Sequence, residues 1–267
     1  MGTRTRTTLA TALAAVLAAA GVLTAAPAQA ATSGINDWSC TPSQAHPHPV
    51  VVVHGTFGDS QNLLRRLRSS LASSGYCVFA LDYGNRATGP IEQSAQQLKS
   101  YVDRVLTATG ASKVSMVGHS QGGMMPRYYV KFLGGADKVD DLVGLAPSNH
   151  GTSNPLTLTP GLSSTCPACA QQRTGSAFLR HLNAGDETPG AVSYTNVVTR
   201  YDEVVTPYTS GYLSGPRTTN LTLQDKCRLD TAEHLRIPTD GPAIRIVLNA
   251  LGRSGPAAPA YQPSCLP

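Results

Sequence analysis

The chain has 267 residues, 14% of them charged, with 25 glycines, 19 prolines and a formal charge of +5. This composition excludes a disordered polyelectrolyte, and the 41% apolar content is enough for a sizeable core. The basic side chains are dispersed without interleaved aromatics, so neither nucleic acid nor an anionic membrane is indicated as a partner.

Arg4 and Arg6 open the chain, Leu9 to Leu23 is almost wholly Ala, Leu and Val, and Ala28-Gln29-Ala30 offers the small residues of a cleavage site. Residues 1–30 are therefore expected to be a secretory signal peptide, too short and alanine-rich to favour a permanent anchor. Its removal leaves 237 residues at a formal +3. These are expected to form one extracellular domain, 31–267, acting as a monomer.

Val50 to Val53 is an unbroken valine run of the kind found in strands buried on both faces. Gln61 to Ser74 places Leu63, Leu64, Leu67 and Leu71 on one helical face and stops at Gly75. Cys77 to Leu81 reads as a strand. Pro90 opens a helix whose apolar positions, from Ile91 through Leu98 to Leu106, recur until Gly110. Lys113 to Val117 is a short β-prone run, Met124 to Leu133 suits a buried helix, and Val139 to Leu145 is a further strand. Val192 to Val198 and Thr219 to Leu223 follow as strands, and Pro242 to Leu251 as a closing helix.

The alternation predicts an α/β fold: a mostly parallel, doubly wound sheet with helices on both faces. Residues 149–190, rich in Thr, Ser, Pro and Gly, break the rhythm and are expected to cap or rim a crevice at the C-terminal ends of the strands.

Gly118-His119-Ser120-Gln121-Gly122 lies between a predicted strand and a predicted helix. A serine held out on so tight a turn needs nearly side-chain-free flanks, which glycine supplies, and the following helix brings unpaired N–H groups. Ser120 is therefore the candidate nucleophile, and a serine nucleophile needs a base and an orienting acid.

His46 and His48 sit in a Pro-rich lead-in, while His54 and His119 read as packing or hydrogen-bonding residues. His150 and His181 bracket the cap. His234, between the last strand and the closing helix, is the candidate base. Asp202, directly after the strand Val192 to Val198, is the preferred acid, with Glu203 as rival because neighbours on an extended segment point opposite ways. The order Ser120, Asp202, His234 is that of a doubly wound hydrolase sheet. The oxyanion donors are expected to be Gln121, after the nucleophile, and Thr56, in the loop His54-Gly55-Thr56-Phe57-Gly58. Phe57, Met124, Met125, Leu156, Leu158 and Leu162 are candidates for an apolar crevice or, equally, for the core. Neither a metal nor an organic cofactor is required by this chemistry.

Six cysteines in an exported chain point to disulfides, for which 15 pairings are open. Neighbour pairing, Cys40 with Cys77, Cys166 with Cys169 and Cys227 with Cys265, ties the lead-in, a mid-chain loop and the C-terminal tail.

The segments PVVVVHGTFG, GYCVFALDYG, VGHSQGG and YDEVVTP, followed by the late His234, together resemble the secreted bacterial class 2 lipases and esterases of the α/β-hydrolase fold. The match covers nearly all of residues 31–267. The same order is similar to fungal lipase B, in which an Asp-Glu pair holds the acid first and a threonine follows the first glycine. That likeness supports Asp202 over Glu203 and Thr56 as donor, and the family implies pairings close to Cys40 with Cys77 and Cys227 with Cys265.

The resemblance implies a secreted carboxylic-ester hydrolase, a triacylglycerol lipase or esterase working through an acyl-enzyme. Its partner is a lipid or other ester substrate, met in transient contact with a lipid–water interface. A cutin- or polyester-type esterase with the same triad is the alternative. A non-catalytic binding protein on a hydrolase fold, or a thiol-disulfide protein using Cys166 and Cys169, belongs to other classes. The chain departs from the family in the Cys166-Pro167-Ala168-Cys169 insert and in the cap.

Overall fold

Strand β1, Val50–Val53, has all four valines buried, but they face two different cores. Val51 and Val53 join a cluster with Phe79, Leu98, Met116 and Met124. Val50 and Val52 join another with Leu67, Val117 and Ile246. The period-two alternation of a strand thus distributes one apolar run between two helical layers. The computed structural model describes residues 1–2, 34–155 and 161–266. The expected signal peptide, and the crevice candidates Leu156 and Leu158, lie outside the described residues.

The remaining strands are β2 Val78–Leu81, β3 Val114–His119, β4 Val139–Leu145, β5 Ser193–Val198 and β6 Thr218–Thr222. They form one sheet in the order β2-β1-β3-β4-β5-β6. All its pairings are parallel. One layer contains α1, Arg65–Ser73, and the other contains α2, Ile91–Thr109, and α3, Gln121–Phe132. The closing helix, Gly241–Leu251, packs in the α1 layer, and Asp240 caps it by accepting from Ala243 N–H at 2.8 Å.

Helix α1 begins later than the leucine spacing predicts. The Asp59 carboxylate accepts from the N–H groups of Gln61 (2.9 Å) and Asn62 (2.6 Å), so the chain turns locally and helical bonding starts only at Arg65. Helix α2 stops at Gly110, whose φ of 68° supplies the left-handed cap expected there.

Within 149–190 the described residues form short helices, Leu162–Thr165, Pro167–Gln171 and Ala177–Asn183. Three disulfides are present: Cys40–Cys77, Cys166–Cys169 and Cys227–Cys265. They are the neighbour pairings favoured from the sequence. Among the described residues, no helix is long and apolar enough to cross a membrane.

Candidate active site

The sheet's winding direction reverses at β1, which lies between β2 and β3, so the loops leaving β1 and β3 share one crevice. Val53 is in register with Gly118, which brings the loop His54 to Gly58 beside Ser120. Ser120 has φ 56° and ψ −123°, a strained position between β3 and α3. The glycines around it are sterically required. A Cβ on Gly118 would lie 1.8 Å from Gly122 O, and one on Gly122 would lie 2.3 Å from Val53 O. The Ser120 N–H donates to Leu145 O at 2.9 Å, and its carbonyl accepts from Gly123 N–H at 2.9 Å.

Asp202 leaves the C-terminal end of β5 and His234 the loop after β6, and the structure brings them together. His234 Nδ1 is 2.9 Å from Asp202 Oδ2, and both side chains are buried. Asp202 Oδ1 accepts from the N–H groups of Val204 (3.0 Å) and Val205 (2.7 Å). A carboxylate so held places the imidazole proton on Nδ1 and leaves Nε2 free to accept one. Glu203, one residue along, is exposed. Asp225 pairs with Arg200, Asp230 accepts from Ala232 N–H, and Glu233 accepts from Leu235 N–H.

His119 supports the His234 loop from below. Its Nε2 lies 2.8 Å from His234 O, with the two rings 4.7 Å apart. Burial holds the His119 imidazole well below its usual range, so it is neutral and donates its single proton to that carbonyl. His54, likewise lowered by burial, donates from Nδ1 to Gly55 O at 2.8 Å and stacks on Tyr83. His150 is held by Glu187 at 2.7 Å, and His181 stacks on Phe132, so neither is among the residues lining the crevice.

Thr56 and Gln121, the expected oxyanion donors, are also adjacent. Thr56 Oγ1 donates to Gln121 Oε1 at 2.9 Å and accepts from Gln172 Nε2 at 2.9 Å. Gln172 Oε1 in turn accepts from Ser148 Oγ at 2.8 Å. Gln172 is a site residue that the sequence does not reveal. It follows the Cys166–Cys169 bridge in a stretch without periodicity, and only a tertiary approach brings it to Thr56.

Ser120, His234 and Thr56 open into one cavity of about 740 Å³. Its apolar wall includes Phe57, Leu63, Leu162, Val204 and Leu235. Of the residues that could belong to crevice or core, two belong to the core. Met124 and Met125 are fully buried in the core beneath α3, because the helical face that follows the nucleophile packs against the sheet. Phe57 and Leu162 do line the cavity, as do Cys169 and Gln172 of the 149–190 stretch. Among the described residues, no group of three or more His, Cys, Asp or Glu is placed to hold a metal ion.

Comparison with known proteins agrees with this architecture. A triacylglycerol lipase of Pseudarthrobacter phenanthrenivorans is 37% identical over 87 residues, which cover 30% of this chain and 27% of that protein. A triacylglycerol lipase of Vibrio cholerae is 34% identical over 134 residues, 43% of this chain and 42% of that one. The chain thus spans less than half the length of these two curated relatives. The crystal structure of Aspergillus fumigatus lipase B superposes with a TM-score of 0.70 at 22% identity, over 80% of this chain and 54% of that one. The fold is therefore the α/β-hydrolase fold. The family model for class 2 lipases matches residues 47–242, a span running from the lead-in to β1 through Ser120, Asp202 and His234 to the closing helix. By that match, over more than half its length, the chain belongs to the class 2 lipase family.

Proposed function

We propose that the protein hydrolyses carboxylic esters by acyl transfer, with Ser120 as nucleophile, His234 as general base and acid, and Asp202 as the group that orients the imidazole. The Asp202–His234 contact of 2.9 Å, opening on the cavity that holds Ser120, carries this reading. Ser120 Oγ attacks the ester carbonyl carbon while His234 Nε2 takes the hydroxyl proton. The carbonyl oxygen becomes an oxyanion facing Thr56 and the Gln121 N–H. Collapse of this intermediate expels the alcohol, which takes the proton from His234. A water molecule then attacks the acyl-enzyme by the same base and releases the acid.

The substrate class is esters with apolar acyl chains, triacylglycerols among them. Phe57, Val204 and Leu235 on the cavity wall are 59%, 42% and 60% exposed, apolar surface left open beside the reacting groups. Residues 1–30 act as the export signal and 31–267 as one domain, with 149–190 as the rim of the site. Three disulfides support folding in an oxidising compartment.

A phosphonate ester probe, followed by mass mapping, is expected to label Ser120 alone, and Ser120→Ala is expected to abolish both labelling and hydrolysis. p-Nitrophenyl esters of increasing chain length then separate a lipase from a short-chain esterase. Labelling elsewhere, or undiminished hydrolysis by Ser120→Ala, overturns the assignment.

A further inference from the structure

Between β2 and α2 the chain makes a turn that its sequence does not announce. Gly84, Asn85, Arg86 and Ala87 have φ of 57°, 51°, 57° and 58°. They form one turn of left-handed helix, closed by Ala87 N–H on Tyr83 O and Thr88 N–H on Gly84 O, each at 2.9 Å. Three of the four carry a Cβ, which crowds the neighbouring carbonyl in this conformation. Such a turn persists only where its surroundings hold it.

What it grips is the loop after β1. Arg86 O accepts from Phe57 N–H at 2.8 Å. The Arg86 guanidinium returns the contact, donating from Nε at 3.0 Å and from Nη2 to Phe57 O. Phe57 is itself left-handed, with φ 62°, and its ring is largely exposed. Burial of the ring therefore does not hold this residue, whereas three hydrogen bonds to one residue 29 positions away do.

We propose that Arg86 is a positioning residue for the oxyanion loop. Its carbonyl and its guanidinium clamp the peptide groups on both sides of Phe57, and the first of these is the Thr56–Phe57 peptide. Fixing that plane fixes where Thr56 stands relative to Gln121 and Ser120. The left-handed turn is what allows one residue to present a carbonyl and a side-chain fork to the same backbone site. The inference rests on the proposed role of Thr56 in holding the oxyanion.

Arg86→Ala and Arg86→Lys are compared with wild type on a soluble short-chain p-nitrophenyl ester. Arg86→Ala is expected to lower kcat by about tenfold to a hundredfold with KM changed by less than about threefold, since the lost geometry matters most in the transition state. Phosphonate labelling of Ser120 slows in parallel, and millimolar guanidinium restores part of kcat, a rescue that a merely structural role does not predict. Arg86→Lys keeps the charge and the stem without the planar fork. It is expected to retain the wild-type melting midpoint and lose about threefold or more in kcat, and it carries the test if the alanine variant does not fold. Wild-type kcat and labelling in a folded variant overturn the role of Arg86 alone. An inert wild type with Ser120 unlabelled overturns the proposed function, and this inference with it.

Discussion

His234 Nδ1 stands 2.9 Å from Asp202 Oδ2, and the two residues reach that contact from the ends of adjacent parallel strands, β5 and β6. Asp202 has no freedom to leave it, because its other oxygen is held by two backbone N–H groups within the following three residues. The neighbouring Glu203 points to solvent while its carbonyl accepts from Asn154 Nδ2 at 2.8 Å.

That arrangement separates two acids one residue apart. Asp202→Asn is expected to reduce kcat by about 10³- to 10⁴-fold, since an amide favours the wrong imidazole tautomer. Glu203→Gln is expected to stay within about twofold of wild type, as an exposed side chain away from the reacting groups. Steady-state kinetics on both variants decides it, and a large loss in Glu203→Gln would reverse the assignment.

The chain Ser148–Gln172–Thr56–Gln121 implies that Gln172 and Thr56 act together. Thr56→Val keeps the backbone N–H but removes the hydroxyl that ties Gln172 to Gln121, and is expected to cost about tenfold to 10²-fold in kcat by loosening the oxyanion loop. Gln172→Ala leaves the Thr56 hydroxyl held by Gln121 alone and is expected to cost about threefold to tenfold, with the thermal midpoint little changed. The double variant should then be no worse than Thr56→Val alone, because the effect of Gln172 runs through that hydroxyl. Multiplicative losses would show that Gln172 acts by another route.

Much of this architecture was legible because strands buried on both faces leave unbroken apolar runs, as in Val50–Val53, and because glycine crowding is written into Gly118 and Gly122. Strand alternation allows only one of Asp202 and Glu203 to face His234, and the likeness to fungal lipase B is what favours Asp202. What stayed hidden depends on tertiary approach. Gln172 has no local signal and becomes a site residue only where its helix meets the β1 loop. Gly84 and Asn85 tolerate the left-handed region, but Arg86 and Ala87 do not favour it, so the local sequence alone does not specify a full left-handed turn. Met124 and Met125 show the converse limit. Helical spacing reports that they are buried, without saying whether core or cavity receives them.

The three disulfides differ in the chain they close. Cys40–Cys77 and Cys227–Cys265 span 37 and 38 residues, whereas Cys166–Cys169 spans 3. Loop-closure entropy assigns about 4 kcal/mol to each long bridge and about 2 kcal/mol to the short one. Replacing Cys227 and Cys265 together by serine is expected to lower the thermal midpoint by about 10 °C, and replacing Cys166 and Cys169 by about half as much. Calorimetry at one pH tests this. Equal losses from the two pairs would mean that strain or packing, rather than loop length, sets their contribution.

Asp141 on β4 gives the fold a pH dependence independent of the candidate site. Its side chain is buried, accepts from Ser115 Oγ at 3.2 Å, and lies beside Asp140. Burial first, and then the Asp140 charge, pushes its carboxyl up to about 7. An unfolded aspartate titrates near about 4, so between about pH 4 and 7 the folded protein binds more protons than the unfolded chain. Stability therefore falls as pH rises through that window, and the full penalty, on the order of 2–4 kcal/mol, is present above pH 7. Asp141→Asn keeps an acceptor for Ser115 and removes the charge. It is expected to raise the thermal midpoint at pH 8 by several degrees, with the gain shrinking to nothing near pH 4. A midpoint difference that does not change between pH 4 and 8 would mean that Asp141 is not the group responsible.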